Sequence, residues 1–158
     1  TLVSLHHAQI HWTRGEAEFR GGRYSRQHEL RFGETIRVIG SASPSVVPAQ
    51  YCVSDAVDPE AAFVAALAGC HMLWFLSVAA SAGFVVEDYL DTAQGTLGPD
   101  AGGALAMIDI LLRPTVRFSA DGAPAPSEFE AMHEKAHAEC FLARSVRCPV
   151  RIQAALVS

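Results

Sequence analysis

Residues 58–83 read DPEAAFVAALAGCHMLWFLSVAASAG and contain the longest nearly apolar run of the chain. Asp58 is a good helix N-cap, Pro59 suits the first helical position, and Glu60 favours the positive end of the helix dipole. Gly83 is a typical stop signal. The stretch therefore predicts one long helix, and because it is apolar all round we expect that helix to be wholly buried.

The same run approaches the length of a membrane span. His71 lies inside it, acidic residues flank its start, and no cluster of positive charge anchors either side. Residues 1–7 show no basic segment followed by an apolar run, so we expect no signal peptide. The sequence favours a cytoplasmic protein without a membrane partner.

Composition predicts one domain, residues 1–158, with a sizeable core. Half of the 158 residues are hydrophobic and 18% are charged, which is typical of a globular chain. The net charge of -5 argues against nucleic acid as a partner, because that function needs a basic surface. Four cysteines do not make a secreted disulfide scaffold at this length, so we expect free thiols, metal ligands or redox catalysts.

The rest of the chain shows short strand patterns and a second helix. Strands are predicted over residues 5–12, 28–32, 36–39, 87–97, 105–119 and 146–157. The second helix follows Pro126, with Ser127 and Glu130 at the spacing of a capping box. This order predicts an α+β fold with antiparallel sheets, in which residues 87–97 and 105–119 form a hairpin.

Cys70 lies near the middle of the apolar helix and has two interpretations. Free cysteine is among the most buried residue types, so it suits a core position. Gly69, a poor helix former, opens space beside the sulfur and favours a reactive thiol instead. His71 points about 100° away from Cys70 on a helix, which argues against it as the base for that thiol.

Cys140 ends the second helix and also has more than one interpretation. It is either a small buried residue or a second thiol that condenses with a sulfenic acid to form a disulfide. His133, His137 and Cys140 lie on one side of the helix, so a metal site is a further alternative. An exposed histidine pair explains the same spacing.

Arginines cluster in the first predicted hairpin, which the strands over residues 5–12 and 28–32 would form. They make up either a solvated basic face or a site that stabilises a thiolate. They are Arg20, Arg23, Arg26 and Arg31. The two other cysteines, Cys52 and Cys148, have no companion motif and are interpreted as structural or incidental thiols.

Three segments together resemble the OsmC/Ohr family (osmotically inducible protein C and organic hydroperoxide resistance protein). They are residues 58–72, DPEAAFVAALAGCHM; residues 135–140, KAHAEC; and residues 23–28, RYSRQH. The resemblance covers essentially the whole chain in the right order and is nearest to the OsmC-like branch. It implies an intertwined homodimer in which curved antiparallel sheets wrap around two central helices, with the sites at the dimer interface.

The resemblance also implies a function and a set of site residues. The activity is a thiol peroxidase that reduces organic hydroperoxides at the expense of an external dithiol, without a cofactor or metal. Cys70 corresponds to the peroxidatic cysteine, Cys140 to the resolving cysteine, and Glu60 to the helix-start glutamate. The catalytic arginine is Arg26, with Arg23 as its rival. The alternative is a non-catalytic OsmC-like protein that binds a small ligand or thiol.

Helix geometry adds one constraint to this site. Ten positions separate Glu60 from Cys70, which on a straight helix is roughly 15 Å of rise and about 80° of rotation. Glu60 therefore does not touch Cys70 of its own helix. A site that unites both with an arginine needs a broken helix or residues from a second subunit, and we predict the second.

Overall fold

The computed structural model describes residues 3–157, and its mixture of helices and sheets confirms the α+β class. The strands are β1 (Gln9–His11), β2 (His28–Phe32), β3 (Ile36–Gly40), β4 (Val86–Asp91), β5 (Gln94–Pro99), β6 (Leu105–Leu112), β7 (Pro114–Phe118), β8 (Val150–Ile152) and β9 (Ala155–Val157). The helices are α1 (Pro59–Ser81), α2 (Pro126–Glu139) and α3 (Phe141–Ser145). The chain forms two compact units, the first extending to Ala62 and the second beginning at Phe63. A single domain over residues 1–158 stays a prediction.

The first unit contains a three-stranded antiparallel sheet in the order β1-β2-β3. The two longer strands are those expected from the sequence, whereas the first strand is limited to three residues. Residues 41–58 form a long loop, with one 3₁₀ turn at Ala49–Tyr51. The loop returns to the sheet at Val57, whose N–H donates to the Ile39 carbonyl at 2.9 Å.

The capping signals of α1 act as predicted. The Asp58 Oδ1 atom accepts a hydrogen bond from the Ala61 N–H at 2.8 Å, and Pro59 is the first helical residue. The helix ends at Ser81, and Gly83 follows with a φ of 85°, a left-handed conformation that glycine adopts without strain. The helix is unbroken over 23 residues.

The prediction of two long strands after α1 was wrong. Each divides in two, so that β4 pairs with β7 in one sheet and β5 pairs with β6 in another. Between the two pairs of strands, hydrogen bonds that involve side chains take the place of the regular backbone pairing. The Arg113 N–H donates to Asp91 Oδ1 at 2.7 Å, and Arg113 Nε donates to the Thr92 carbonyl at 3.1 Å.

The predicted capping box of α2 was also wrong. The helix begins at Pro126, and the Glu128 carboxylate, not that of Glu130, accepts from the Ala125 N–H at 2.8 Å. Ser127 is therefore inside the helix, where its hydroxyl cannot act as the cap. The helix buries an apolar face that contains Phe129, Met132 and Ala136.

The C-terminal segment divides into two short strands that join different sheets. β8 pairs in parallel with β6, and β9 pairs in parallel with β7. The sheets of the second unit are therefore mixed, with orders β4-β7-β9 and β5-β6-β8, and not purely antiparallel as the sequence suggested.

The helix α1 is not wholly buried in the single chain, contrary to expectation. One face packs into the core of the second unit through Leu67, His71, Phe75, Val78 and Ala79. The opposite face is open, and Leu73 is 64% exposed. Among residues 3–157, α1 alone is long and apolar enough to cross a membrane, but length and composition are weak evidence because core helices share both.

Candidate active site

Cys70 lies on the half-buried side of α1, at the edge of a groove in the second unit. Its neighbour Gly69 lines the same groove, and a Cβ atom at Gly69 would meet no atom within 4 Å. The expected open space beside the thiol is therefore present. Cys70 is not in a disulfide and is accessible from this side.

Cys140 is buried where α2 ends and α3 begins, and it is only 1% exposed. Its sulfur accepts a hydrogen bond from the Ala143 N–H at 3.4 Å. Burial raises the pKa of the Cys140 thiol above its usual value, and the side-chain interaction with Cys70 raises it further. Cys140 is therefore a neutral thiol at neutral pH, and it lies within interacting distance of Cys70.

The two helices thus bring together the two cysteines that the sequence singled out. Cys70 comes from the middle of α1 and Cys140 from the end of α2, and both are free thiols. Neither belongs to a flexible loop, because each is held by a helix that packs into the same core. The arrangement suits reversible formation of a disulfide, which needs two sulfurs presented by rigid elements.

The groove beside Cys70 has a volume of about 590 Å³ and is mainly apolar. Its lining residues are Ala65, Ala66, Gly69, Cys70, Leu73, Trp74, Ser77, Phe141 and Leu142. The rings of Trp74 and Phe141 meet edge to face with their centroids 5.5 Å apart, and Phe141 is 63% exposed. The groove can therefore hold an apolar group next to the Cys70 sulfur.

The apolar residues of α1 divide between the groove and the core. Leu73 and Trp74 line the groove, whereas Leu67 and Phe75 are fully buried core residues. Phe141 comes from another helix, and its contribution depends on how α3 turns back toward α1. In the sequence, this contribution is indicated by the position of Phe141 directly after Cys140.

Glu60 occupies the first turn of α1, as the capping pattern predicted. Its Oε2 atom is buried and has no hydrogen-bond partner among residues 3–157. A buried carboxylate oxygen without a partner is costly, so this position favours a cationic neighbour supplied from outside the described contacts.

The two candidate arginines differ in their surroundings within the first unit. Arg26 is half-buried, and its Nη1 donates to the carbonyls of Gly22 at 2.9 Å and Tyr24 at 2.5 Å. Its guanidinium lies 3.7 Å from the centre of the Tyr24 ring. Arg23 is exposed over 71% of its side chain and pairs with Glu18 at 3.7 Å. Arg26 is therefore the more ordered of the two.

Comparison with known proteins identifies the family. A family model described as OsmC-like protein matches residues 53–155. The chain belongs to the OsmC family. The matched segment of this OsmC family member includes Glu60, Cys70 and Cys140, but it begins after Arg23 and Arg26. The choice between the two arginines therefore has no support from the match.

Solved structures agree with this membership. An OsmC-like protein of unknown function from Vibrio cholerae is 43% identical, with 96% of this chain and 99% of that chain covered and a TM-score of 0.93. An organic hydroperoxide resistance protein from Elizabethkingia anophelis is 16% identical, with 99% of each chain covered and a TM-score of 0.69. The OhrB protein of Bacillus subtilis is 18% identical, covers 98% of this chain and 100% of its own, and has a TM-score of 0.62. No curated protein matches the chain.

In this OsmC family protein, α1 and α2 also meet through two buried histidines. His71 Nε2 and His133 Nδ1 are 3.0 Å apart, and the rings lie nearly parallel at 11°. Burial, with a smaller contribution from a neighbouring histidine, lowers the pKa of His71 to about 4 and that of His133 to about 3. Both rings are therefore neutral at neutral pH. No local pattern indicated this pair, because its members are 62 positions apart.

The alternative of a metal at His133, His137 and Cys140 has no geometric support. Among residues 3–157, no group of three or more His, Cys, Asp or Glu side chains is placed to hold a metal ion. The His133 Nδ1 atom faces His71, while Cys140 interacts with Cys70. In this OsmC family member, His133 and Cys140 therefore interact with other partners, namely His71 and Cys70.

The histidine pair predicts a loss of stability in mild acid. A histidine whose folded pKa lies below its unfolded value of 6.5 binds a proton more readily in the unfolded chain. The stability that depends on neutral rings is therefore complete above pH 6.5 and is lost as the pH falls toward 4. We expect the free energy of unfolding to fall by roughly 4 kcal/mol between pH 7 and pH 5, with similar contributions from the two histidines, measured by urea denaturation. The double variant with His71→Leu and His133→Leu should show a flatter profile, and equal slopes would contradict the assignment.

Proposed function

We propose that this protein is a thiol peroxidase that reduces organic hydroperoxides to alcohols. The observation that carries the proposal is the juxtaposition of Cys70 and Cys140 at an apolar groove. Membership of the OsmC family supports it, because some proteins of the same fold are named organic hydroperoxide resistance proteins. The reductant is an external dithiol, and no cofactor takes part.

The proposed cycle has three steps, each balanced in atoms and electrons. The Cys70 thiolate attacks one peroxide oxygen of ROOH, the O–O bond breaks, and the alkoxide takes a proton to leave as ROH. Cys70 is then a sulfenic acid, and Cys140 attacks its sulfur to form the disulfide while the hydroxyl leaves as water. The dithiol finally reduces the disulfide by thiol exchange and becomes a disulfide itself.

The setting of Cys140 fits the second step. The raised pKa keeps Cys140 protonated, so its proton is available to the hydroxyl group that leaves Cys70. A buried neutral thiol is also protected from direct attack by peroxide, because the thiolate is the reactive form. Oxidation therefore begins at Cys70, the more accessible of the two.

Glu60 and an arginine complete the proposed site from a second copy of the chain. Because α1 is unbroken, the alternative of a broken helix is removed, and Glu60 remains a rise of roughly 15 Å from Cys70 of its own helix. The unpartnered Glu60 oxygen suits a guanidinium, and we assign Arg26 to that role, with Arg23 as the rival. In this proposal the arginine stabilises the Cys70 thiolate and polarises the peroxide.

A homodimer follows from the same reasoning. The exposed apolar face of α1, including Leu73, is a surface that association between two chains would cover. We expect sedimentation equilibrium to give a species of twice the 16.9 kDa chain mass at micromolar concentration. A monomer that remains fully active would contradict the proposed contribution of a second chain.

A coupled assay tests the function. The purified protein should consume cumene hydroperoxide catalytically with dithiothreitol as the reductant, and the Cys52→Ser variant should be as active as the parent. Cys52 is a suitable control because it belongs to the first unit, where its thiol donates to the carbonyls of Val47 and Pro48. Saturable ligand binding without turnover would instead favour a non-catalytic binding protein.

The groove predicts selectivity for apolar peroxides. Phe141 lies in the groove lining with most of its surface exposed, so Phe141→Ala should remove contact with the organic group together with the edge-to-face contact to Trp74. We expect the KM for cumene hydroperoxide to rise roughly tenfold, the value of about 1.4 kcal/mol of lost apolar contact. The rate with hydrogen peroxide, which has no organic group, should change by less than about twofold. Equal losses with both peroxides would show that the groove does not select the substrate.

A further inference from the structure

We propose that His71 and His133 act as positioning residues, whose hydrogen bond fixes the register of α1 against α2 and thereby the separation of the Cys70 and Cys140 thiols. We call this pair the histidine clamp. The effect on thiol geometry stands on the structure alone, whereas its role in the peroxidase cycle rests on the proposed function.

The clamp is a directional contact in an otherwise apolar interface. His71 is 1% exposed and His133 is 4% exposed, and their ring nitrogens are 3.0 Å apart. Two neutral imidazoles form this bond with one ring as donor and the other as acceptor, and either tautomeric arrangement needs the same two nitrogens to face each other. The surrounding core cluster is apolar, and its contacts tolerate small shifts because they have no fixed direction.

Aromatic neighbours fix the orientation of the His133 ring. It stacks on Phe75 of α1 with centroids 4.1 Å apart and a 20° angle between planes. Phe129, one turn earlier on α2, meets the same ring edge to face at 4.7 Å. Because the ring cannot rotate freely between these two side chains, its Nδ1 atom is held toward His71.

The clamp lies close to both thiols along the chain. His71 is the residue after Cys70, and His133 precedes Cys140 by seven positions, or two helical turns on the same side of α2. A slip of one turn between the helices would displace one sulfur by about 5.4 Å relative to the other. A disulfide tolerates Cα separations of only about 4.4–6.8 Å, so such a slip would prevent the bond.

Loss of register also carries a penalty that an apolar contact would not impose. If the helices slipped, both ring nitrogens would remain buried without a partner, which is far less favourable than an apolar mismatch. The clamp therefore favours the one arrangement in which the thiols meet. A leucine at either position would fill similar space without this selectivity.

The test compares two substitutions at position 71. His71→Leu removes the bond and leaves an apolar side chain, whereas His71→Gln places an amide near the original Nε2 position and can still bond to His133. The measured quantity is the effective concentration of the Cys70 and Cys140 thiols toward each other, from the equilibrium of their disulfide with a glutathione redox buffer. We expect His71→Leu to lower it at least about tenfold and His71→Gln to keep it within about threefold of the parent.

Further measurements separate positioning from simple loss of stability. Val116→Ala loosens the same core cluster from β7 without altering the rings that hold His133, so it should lower the melting temperature while leaving the effective concentration within about twofold. Should His71→Leu not fold, His133→Leu and His133→Asn provide the same comparison from the other side. The proposal is overturned if leucine and amide variants behave alike, or if leucine leaves the effective concentration unchanged. Because no peroxide enters this experiment, failure of the peroxidase assay would remove the proposed function and not the clamp.

Discussion

Cys70→Ser is expected to abolish turnover of cumene hydroperoxide, with kcat/KM falling at least about 1000-fold. The reason is chemical, because a serine hydroxyl is not ionised at neutral pH and cannot attack the peroxide as the thiolate does. The substitution is nearly isosteric at a half-buried position beside Gly69, where added atoms meet open space. The fold should therefore persist, and the loss should not reflect unfolding.

The matched control for Cys70→Ser is Cys148→Ala. Cys148 packs against the core cluster that contains Leu67, Ile110 and Leu112, so its loss should reduce stability slightly and leave kcat unchanged. Circular dichroism of both variants checks their folding. Activity that survives in Cys70→Ser would show that another group reduces the peroxide.

Cys140→Ser is expected to stop catalysis after the first step and to leave a stable sulfenic acid at Cys70. The variant should consume one equivalent of peroxide per chain in a burst, because the attacking thiol is intact. The serine hydroxyl can accept the Ala143 N–H in place of sulfur, so the local structure should be retained. Without a resolving thiol, excess peroxide should oxidise Cys70 further to the sulfinic acid and inactivate the protein.

Trapping with dimedone and mass spectrometry measure this intermediate. The adduct should form at Cys70 in Cys140→Ser and be nearly absent from the parent, in which the disulfide forms first. A parent protein that accumulates the same adduct would mean that Cys140 does not resolve the sulfenic acid.

Local signals in the sequence were sufficient to predict the helix that carries the site. Asp58, Pro59 and Gly83 act over a few residues, so their effects on the ends of α1 follow from short-range physics. The two cysteine motifs could be found in the same way. Their meeting could be expected only through the family resemblance, since the packing of α1 on α2 is a long-range property.

Features that depend on long-range contacts were missed or misjudged. The break between β4 and β5 depends on hydrogen bonds between Arg113 and residues some twenty positions earlier. The bond between His71 and His133 depends on the same kind of distant contact. Hydrophobic patterning predicted a buried α1, but it could not show that one apolar face is exposed in the single chain.

The site could be predicted only in part for the same reason, because contacts between residues far apart in the sequence complete it. Among residues 3–157 the buried Oε2 atom of Glu60 has no hydrogen-bond partner, and in our proposal an arginine of a second chain satisfies it. Arg26 is held by carbonyl groups of its own hairpin, and an ordered guanidinium is what a preformed anion site requires. Comparing the turnover of Arg26→Ala with that of Arg23→Ala therefore tests which arginine acts at the site.

The central claim is that peroxide oxidises Cys70 and that Cys140 captures the product. Peptide mapping of the parent protein after one equivalent of cumene hydroperoxide, under conditions that block thiol exchange, measures this directly. The account predicts a single new disulfide between the peptides that contain Cys70 and Cys140, with Cys52 and Cys148 still reduced. Recovery of Cys70 as a free thiol, or in a disulfide with any other cysteine, would contradict it.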